Sequence, residues 1–187
     1  LKFIELFRLS GKDVDELIDK TSETTKKNVS QSSKLKELLS IPRYLVFLLE
    51  RENKQGACSN ISELFEYIIE RSIQTAIENS QIKNENIKIL IQRVLEKVAF
   101  IMEIKGNMAQ MLISNIDLLF FENRILKETN GVLQFENTEL QEYLAAKELC
   151  RQDNIESVLY DVAVQQKLKH IYTNWYDVIP VSYTHLT

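Results

Sequence analysis

Cysteine, proline and glycine are all scarce in this chain, whose 187 residues include 2 Cys, 2 Pro and 4 Gly. Cys58 and Cys150 stand alone, with no metal-ligand spacing around either. That excludes a disulfide scaffold or a zinc ribbon and reads as reduced, incidental thiols in a cytoplasmic protein. A run of about 18 apolar residues, which a bilayer-spanning helix would need, is missing, and so is a charged-then-apolar leader. An excess of positive charge is missing too. The formal net charge is −4, which argues against nucleic acid as the main partner, since neutralising phosphates takes clustered Lys and Arg.

Catalytic motifs are equally absent. There is no G-x-x-x-x-G-K-[ST], no G-x-G-x-x-G, no H-E-x-x-H and no G-x-S-x-G. His170 and His185 have no Cys or carboxylate at ligand spacing. The Asp and Glu residues are scattered along helix-like stretches, where solvation and i,i+4 pairing account for them. No catalytic residue and no metal site is assigned. With 44% hydrophobic and 27% charged residues, the chain has the composition of a globular protein able to bury a real core.

The most informative stretch runs from Asn130 to Ala146. Asn-Gly is the strongest short hairpin signal, because both turn residues must take positive φ at low cost. Strands are expected at about 124–128 and 132–136. Thr138 followed three residues later by Gln141 forms a capping-box pattern ahead of the apolar-periodic Leu140, Tyr143 and Leu144. A hairpin therefore feeds a helix at 138–150. Asn137 lies just ahead of it, where free backbone N–H groups and the helix dipole favour an anion, and where a short polar side chain can also act as the cap.

Upstream, Ser10 with Asp13 starts a helix carrying Val14, Leu17 and Ile18 on one face. Residues 21–33, rich in Thr, Ser, Lys and Asn, read as a solvated helix end and loop. Leu35, Leu38 and Leu39 form a helix that stops before Pro42. This proline drives Ile41 out of the α region and suits the first turn of the next helix. Tyr44 to Leu49 run without a polar break, so that helix is expected to be buried on most sides. Asn60 and Glu63 open a long amphipathic helix at 61–79. A polar connector follows at 81–86, then a helix at 87–104 with Leu90, Ile91, Leu95, Val98, Ile101 and Met102 facing a core, closed by Gly106-Asn107. Met108 to Asn123 reads as two short helices. Residues 155–162 and 168–179 read as two more, with Pro180 after them, and 181–187 continue no helical pattern.

Phe135-Glu136-Asn137-Thr138-Glu139-Leu140-Gln141-Glu142-Tyr143-Leu144-Ala145-Ala146 resembles the F-x-H-x-x-F-Q-E-Y-L-A-A motif in the winged-helix part of NACHT-type proteins, signalling P-loop ATPases of the STAND class. Gln141 to Ala146 match throughout. Leu35 to Leu49 around Pro42 is similar to the helix-proline-helix of their lid subdomain, and Trp175 to Ile179 to a W-x-E-V-I segment after the winged helix. The resemblance implies a nucleotide-gated switch. Pro42 would contact the adenine of bound ADP or ATP, and Asn137 would stand where the family's histidine reaches the phosphates. Asn cannot become cationic, so its phosphate contact would be a neutral hydrogen bond, weaker than a charged one. Leu140 likewise replaces the family's Phe.

The fold class expected is mainly α: a helical lid subdomain at 1–82 and a winged-helix-like domain with a small two-stranded β wing at 83–150. The start of a further helical region follows at 151–180, and 181–187 form a truncated or non-native tail. Opening at Leu1, the chain reads as an interior fragment. The resemblance puts the phosphate-binding loop and magnesium acid in an upstream nucleotide-binding domain of the same parent protein, so that the fragment alone should not bind ATP. It also implies a cytoplasmic defence or signalling role and a homo-oligomer on activation, with no membrane. Two other classes compete: a DNA-binding winged-helix regulator and a ligand-free helical scaffold. The first would need a basic recognition helix, yet Met108 to Asn123 carries Asp117 and Glu122 and no Lys or Arg.

Overall fold

The computed structural model describes residues 8–80, 86–105, 125–129, 132–165 and 169–186. The chain is mainly helical, with small two-stranded antiparallel sheets, and it divides into two compact units, Leu1–Glu70 and Arg71–Thr187. The division falls inside a long helix, whereas the polar connector expected at 81–86 lies mostly outside the described residues.

In the first unit, α1 (Gly11–Ile18) is capped as its sequence predicts. The Ser10 side chain accepts from Asp13 N–H and the Asp13 carboxylate accepts from Ser10 N–H, which satisfies two orphan donors of the first turn. Donation to the carboxylate from the Ser10 hydroxyl, at 2.6 Å, and from the Ser10 N–H holds the exposed Asp13 carboxyl below its ordinary range. Residues 21–33, expected to be a solvated helix end and loop, contain a separate helix, α2 (Glu23–Gln31). Its composition has poor helix propensity, and tertiary anchoring overrides that. Ser22 caps it, Val29 is buried, and the fully buried Thr25 accepts the backbone N–H of Cys58 at 3.0 Å while Asn28 donates to the Cys58 carbonyl. A loop 30 residues downstream thus holds α2 in place.

α3 (Ser33–Leu39) and α4 (Pro42–Gln55) meet at the expected bend, with Ile41 extended at φ −85°, ψ 114° and Pro42 at the first helical position. Burial of α4 is narrower than its unbroken apolar run implied. Tyr44, Leu45 and Leu48 are buried, but Val46 is exposed, because a helix presents one stripe inward whatever its composition. Gly56 closes α4 at φ 87°, ψ −165°, a region open in practice to glycine alone. α5 (Ile61–Ser80) starts where Asn60 caps Glu63 N–H at 2.9 Å. The Glu63 carboxylate accepts from Ser59 N–H and from Arg51, which also donates to the Gly56 carbonyl. The loop between α4 and α5 is therefore tied at both ends.

In the second unit, α6 (Ile87–Ile104) has the predicted limits, while Gly106-Asn107 and the helices expected at 108–123 lie outside the described residues. β1 (Leu126–Thr129) and β2 (Val132–Phe135) pair antiparallel with Thr129 opposite Val132, a register that leaves two residues for the turn. Asn130 and Gly131 themselves are outside the described residues. Glu136 N–H bonds the Ile125 carbonyl and extends the pairing. The chain then enters α7 (Thr138–Leu149), which packs most extensively on α6 and also contacts β2, α8 (Ile155–Ala163) and α9 (Val178–Leu186).

The C-terminal region departs from expectation. Instead of a helix at 168–179 there is a short pairing of β3 (Val164–Gln165) with β4 (His170–Ile171), then a 3₁₀ turn at Thr173–Trp175. Apolar residues here are buried one at a time: Trp175 is fully buried, edge-on to Phe100 at 5.8 Å between ring centroids. α9 runs through Pro180 and takes in residues expected to be non-helical. Pro180 is its third residue, where backbone N–H groups have no intrahelical acceptor and a proline costs little.

Candidate functional site

Pro42 lies in the first unit and Asn137 in the second. Pro42 is half-buried at the head of α4. Beside it Arg43 lays its guanidinium over two rings, 5.2 Å from the centroid of Tyr44 and 6.0 Å from that of Phe47, a cation–π arrangement. This layer was missed in the sequence, where Pro-Arg-Tyr reads only as a helix start.

Asn137, not Thr138, is the cap of α7. Its backbone is extended, and its side-chain Oδ1 accepts Leu140 N–H at 2.8 Å. Thr138 is the first helical residue, so the S/T-x-x-E/Q pattern is one position out of phase. Gln141 is then free of capping duty and turns inward. The amide nitrogen of Asn137 has no partner among the described residues. It is the one donor here that a ligand acceptor could take, alongside the N–H groups of the first turn. Electrostatics oppose an anion to some degree: Glu136 is exposed on one side, and Glu139 occupies the first turn, where a carboxylate already complements the helix dipole. Lys147 and Arg151 lie at the other end of the helix.

α7 itself is buried around most of its circumference. Leu140, Gln141, Tyr143, Leu144, Ala145, Ala146, Glu148 and Leu149 are all buried. The sequence period showed only the stripe of Leu140, Tyr143 and Leu144. The alanines and the polar residues disguised the rest: small side chains let neighbouring helices approach, and Gln141 and Glu148 can be interior only because they find partners. Gln141 donates to the buried Glu103 on α6. Asn174 donates to the Glu103 carbonyl. Burial pushes the Glu103 carboxyl above its usual range, against the opposing effect of the Gln141 and Asn174 amides.

Seven residues earlier on α6, Glu96 has no exposed surface. Arg151 grips it from α7's C-terminal end through Nε at 3.0 Å and Nη2 at 3.1 Å, with Gln92 Nε2 at 3.1 Å and Lys147 Nζ at 4.0 Å. Glu103 meets Gln141 and Glu96 meets Arg151, so rising numbers on one helix meet falling numbers on the other. The helices are antiparallel, with polar anchors near both ends. The apolar spacing of α6 carries no sign of either buried carboxylate. Leu90 and Ile101, expected to face the core, are instead exposed, because the buried face of α6 is rotated toward the two carboxylates.

Cys58 and Cys150 are free thiols. Burial raises the thiol pKa of both, which leaves them protonated and weakly nucleophilic. No group of three or more His, Cys, Asp and Glu is placed to hold a metal among the described residues, and no helix there is long and apolar enough to cross a membrane. A concavity of about 400 Å³ in the first unit is lined by Asp15, Asp19 and Glu23 on one hand and Lys26 and Lys27 on the other. It does not include Pro42, and its mixed charge favours no one ligand sign. In comparison with known proteins, the chain matches no family model, no curated protein and no solved structure.

Proposed function

We propose that this chain is the lid and winged-helix portion of a NACHT-type nucleotide-dependent switch, in which Pro42 contacts the base of ADP or ATP and Asn137 reports on its phosphates. The observation that carries the reading is the delivery of Asn137 by a hairpin to the N-terminus of α7, the central helix of its unit, with a side-chain amide to spare. A shift at Asn137 would be felt by every element packed on α7, which is the mechanical requirement of such a switch. The nucleotide and its magnesium would be held chiefly by an upstream domain of the parent. The output is a rearrangement that exposes an oligomerisation surface.

The test uses the complete reading frame. A phosphate-binding loop should lie within about 150–200 residues before Leu1, one domain length. The purified parent should carry ADP, identified by denaturing release and chromatography. Pro42→Ala and Asn137→Ala should each lower nucleotide retention, and Asn137→His should raise it by adding a charge-assisted contact. A parent without a phosphate-binding loop, or one whose nucleotide retention ignores all three substitutions, would falsify the reading.

A further inference from the structure

The concavity between α1 and α2 holds about 400 Å³, a volume within the range of small-molecule sites. Its charges do not all cancel in place. On the α1 wall Asp15 is taken by Lys36 of α3 at 2.7 Å, and on the α2 wall Glu23 is taken by Lys26 at 2.9 Å. Asp19, at the C-cap of α1, and Lys27, on α2, remain. Both line the cavity and both are exposed, yet neither makes an ion pair among the described residues. Two opposite charges thus face one cavity without reaching each other.

Each wall favours one sign. Asp19 lies at the negative end of α1, whose last turn carries no base, so the terminal carbonyls and the carboxylate together attract a cation there. Lys20, the next residue, does not line the cavity. On the α2 wall Lys26 is already matched, and Lys27 is the ammonium left to take an anion. Ile18 and Val29, exposed by only 4% and 3%, give the lining its apolar part. A lone cation or a lone anion would satisfy one wall and leave the other unmatched, whereas a molecule carrying both charges satisfies the two together.

We propose that this cavity binds a small zwitterion of the free amino acid class, its ammonium on Asp19 and its carboxylate on Lys27, with an aliphatic side chain over Ile18 and Val29. The two polar contacts are charge-assisted but stand in partly solvated positions, where salt screens them. Affinity is therefore modest, with an expected Kd of about 1 mM. A site of that strength follows the level of a free pool and does not hold a permanent ligand. The inference does not rest on the nucleotide reading, because the cavity lies within the first unit and does not include Pro42.

The test is a titration of the isotope-labelled 187-residue chain with L-leucine to about 20 mM, without nucleotide and at fixed salt, followed by amide chemical shifts. Shifts should saturate and should cluster at residues 15–30. N-acetyl-L-leucine, which lacks the ammonium, and L-leucinamide, which lacks the carboxylate, should each bind about tenfold or more weakly. Asp19→Asn and Lys27→Gln should each cost about the same factor, while Lys12→Gln and Glu16→Gln, outside the cavity, should bind leucine as the wild type does. The amide spectrum verifies that each variant folds, and the two modified ligands probe the same contacts on the unaltered chain. Leucine that gives no saturable shift, or shifts that map away from α1 and α2, overturns the proposal. So does binding that ignores both substitutions, or a modified ligand that binds as tightly as leucine, which marks a contact with a single ion.

Discussion

Replacing Arg151 with Met should destabilise the second unit more than replacing Glu96 with Gln, although each removes the same ion pair. The difference comes from where water can reach. The Glu96 side chain has no exposed surface, while that of Arg151 is 37% exposed. In Arg151→Met the carboxylate loses both guanidinium bonds and cannot turn outward. Stripping one partner from a buried pair costs about 3–5 kcal/mol, and the remaining Gln92 and Lys147 contacts hold it near 3. In Glu96→Gln the buried side chain is neutral and the cationic guanidinium can turn to solvent, so only the two ionic bonds are lost, about 1–1.5 kcal/mol. With a urea m-value of about 2 kcal/mol/M, the midpoints should fall by about 1.5 M and about 0.6 M. Trp175 is the only tryptophan and is fully buried against Phe100, so its fluorescence follows this unit alone. Equal shifts, a larger shift for Glu96→Gln, or two shifts under about 0.2 M would refute the reasoning that α6 and α7 are held by a dry carboxylate.

Glu103 should give the second unit a pH dependence of definite sign. Its folded pKa is raised by burial, so the penalty for ionising it is absent below the unfolded value of about 4.5 and grows as pH rises through the folded value. Glu103→Gln keeps an acceptor for Gln141 and should raise the Trp175 urea midpoint at pH 7 while leaving it unchanged at pH 4, and an equal change at both would count against it. Thr25→Val should cost the first unit about 1–3 kcal/mol, because the buried Cys58 N–H loses its acceptor. The direct readout is faster reaction of Cys58 with a thiol reagent, with Cys150→Ser as background, and an unchanged rate would show that Thr25 does not hold the loop. Gly56→Ala should cost about 1–3 kcal/mol by backbone strain alone, since no atom lies within 4 Å of the added Cβ. Hydrogen exchange in α4 and α5 should quicken, and unaltered protection would contradict the assignment.

What was legible in the sequence is what local chemistry decides. Ser10 with Asp13, Pro42 after Ile41, and Asn60 with Glu63 are caps and starts written within four residues, and each stands where it was read. The α2 helix was not legible, because the features that hold it, Thr25 and Asn28 on Cys58, join residues about 30 apart. The 168–179 stretch failed for a related reason. Its apolar spacing resembles a helix, but Ile171 serves a strand pair and Trp175 a 3₁₀ turn, and single buried residues carry no period. Of the candidate site, Pro42 at a helix start and Asn137 at a helix entry were both readable. The cation–π layer of Arg43 and the carboxylates of α6 were not, since a charged residue beside apolar ones reads as a solvent face until its partner on another helix is known.

The motif that is most specific in the sequence thereby changes its meaning in the structure. Gln141 and Tyr143 to Ala146 are buried, and of this run only Glu142 reaches solvent. Gln141 binds Glu103, Tyr143 and Leu144 fill the core, and Ala145 and Ala146 sit fully buried where larger side chains would push packed helices apart. Such a run is kept by packing, because any enlargement strains a close helix contact and any loss of the Gln141 amide strips a buried carboxylate of its donor. Nucleotide chemistry, by contrast, would rest on the single residue ahead of it. Asn137 spends its oxygen on the Leu140 N–H and has only its amide nitrogen to offer. Structure and signal are therefore separable at this joint: substitutions within 141–146 act through stability, while those at 137 alter the cap by about 1 kcal/mol and leave the core intact. That separation makes position 137, rather than the motif, the place where a phosphate contact can be tested without unfolding the unit that would transmit it.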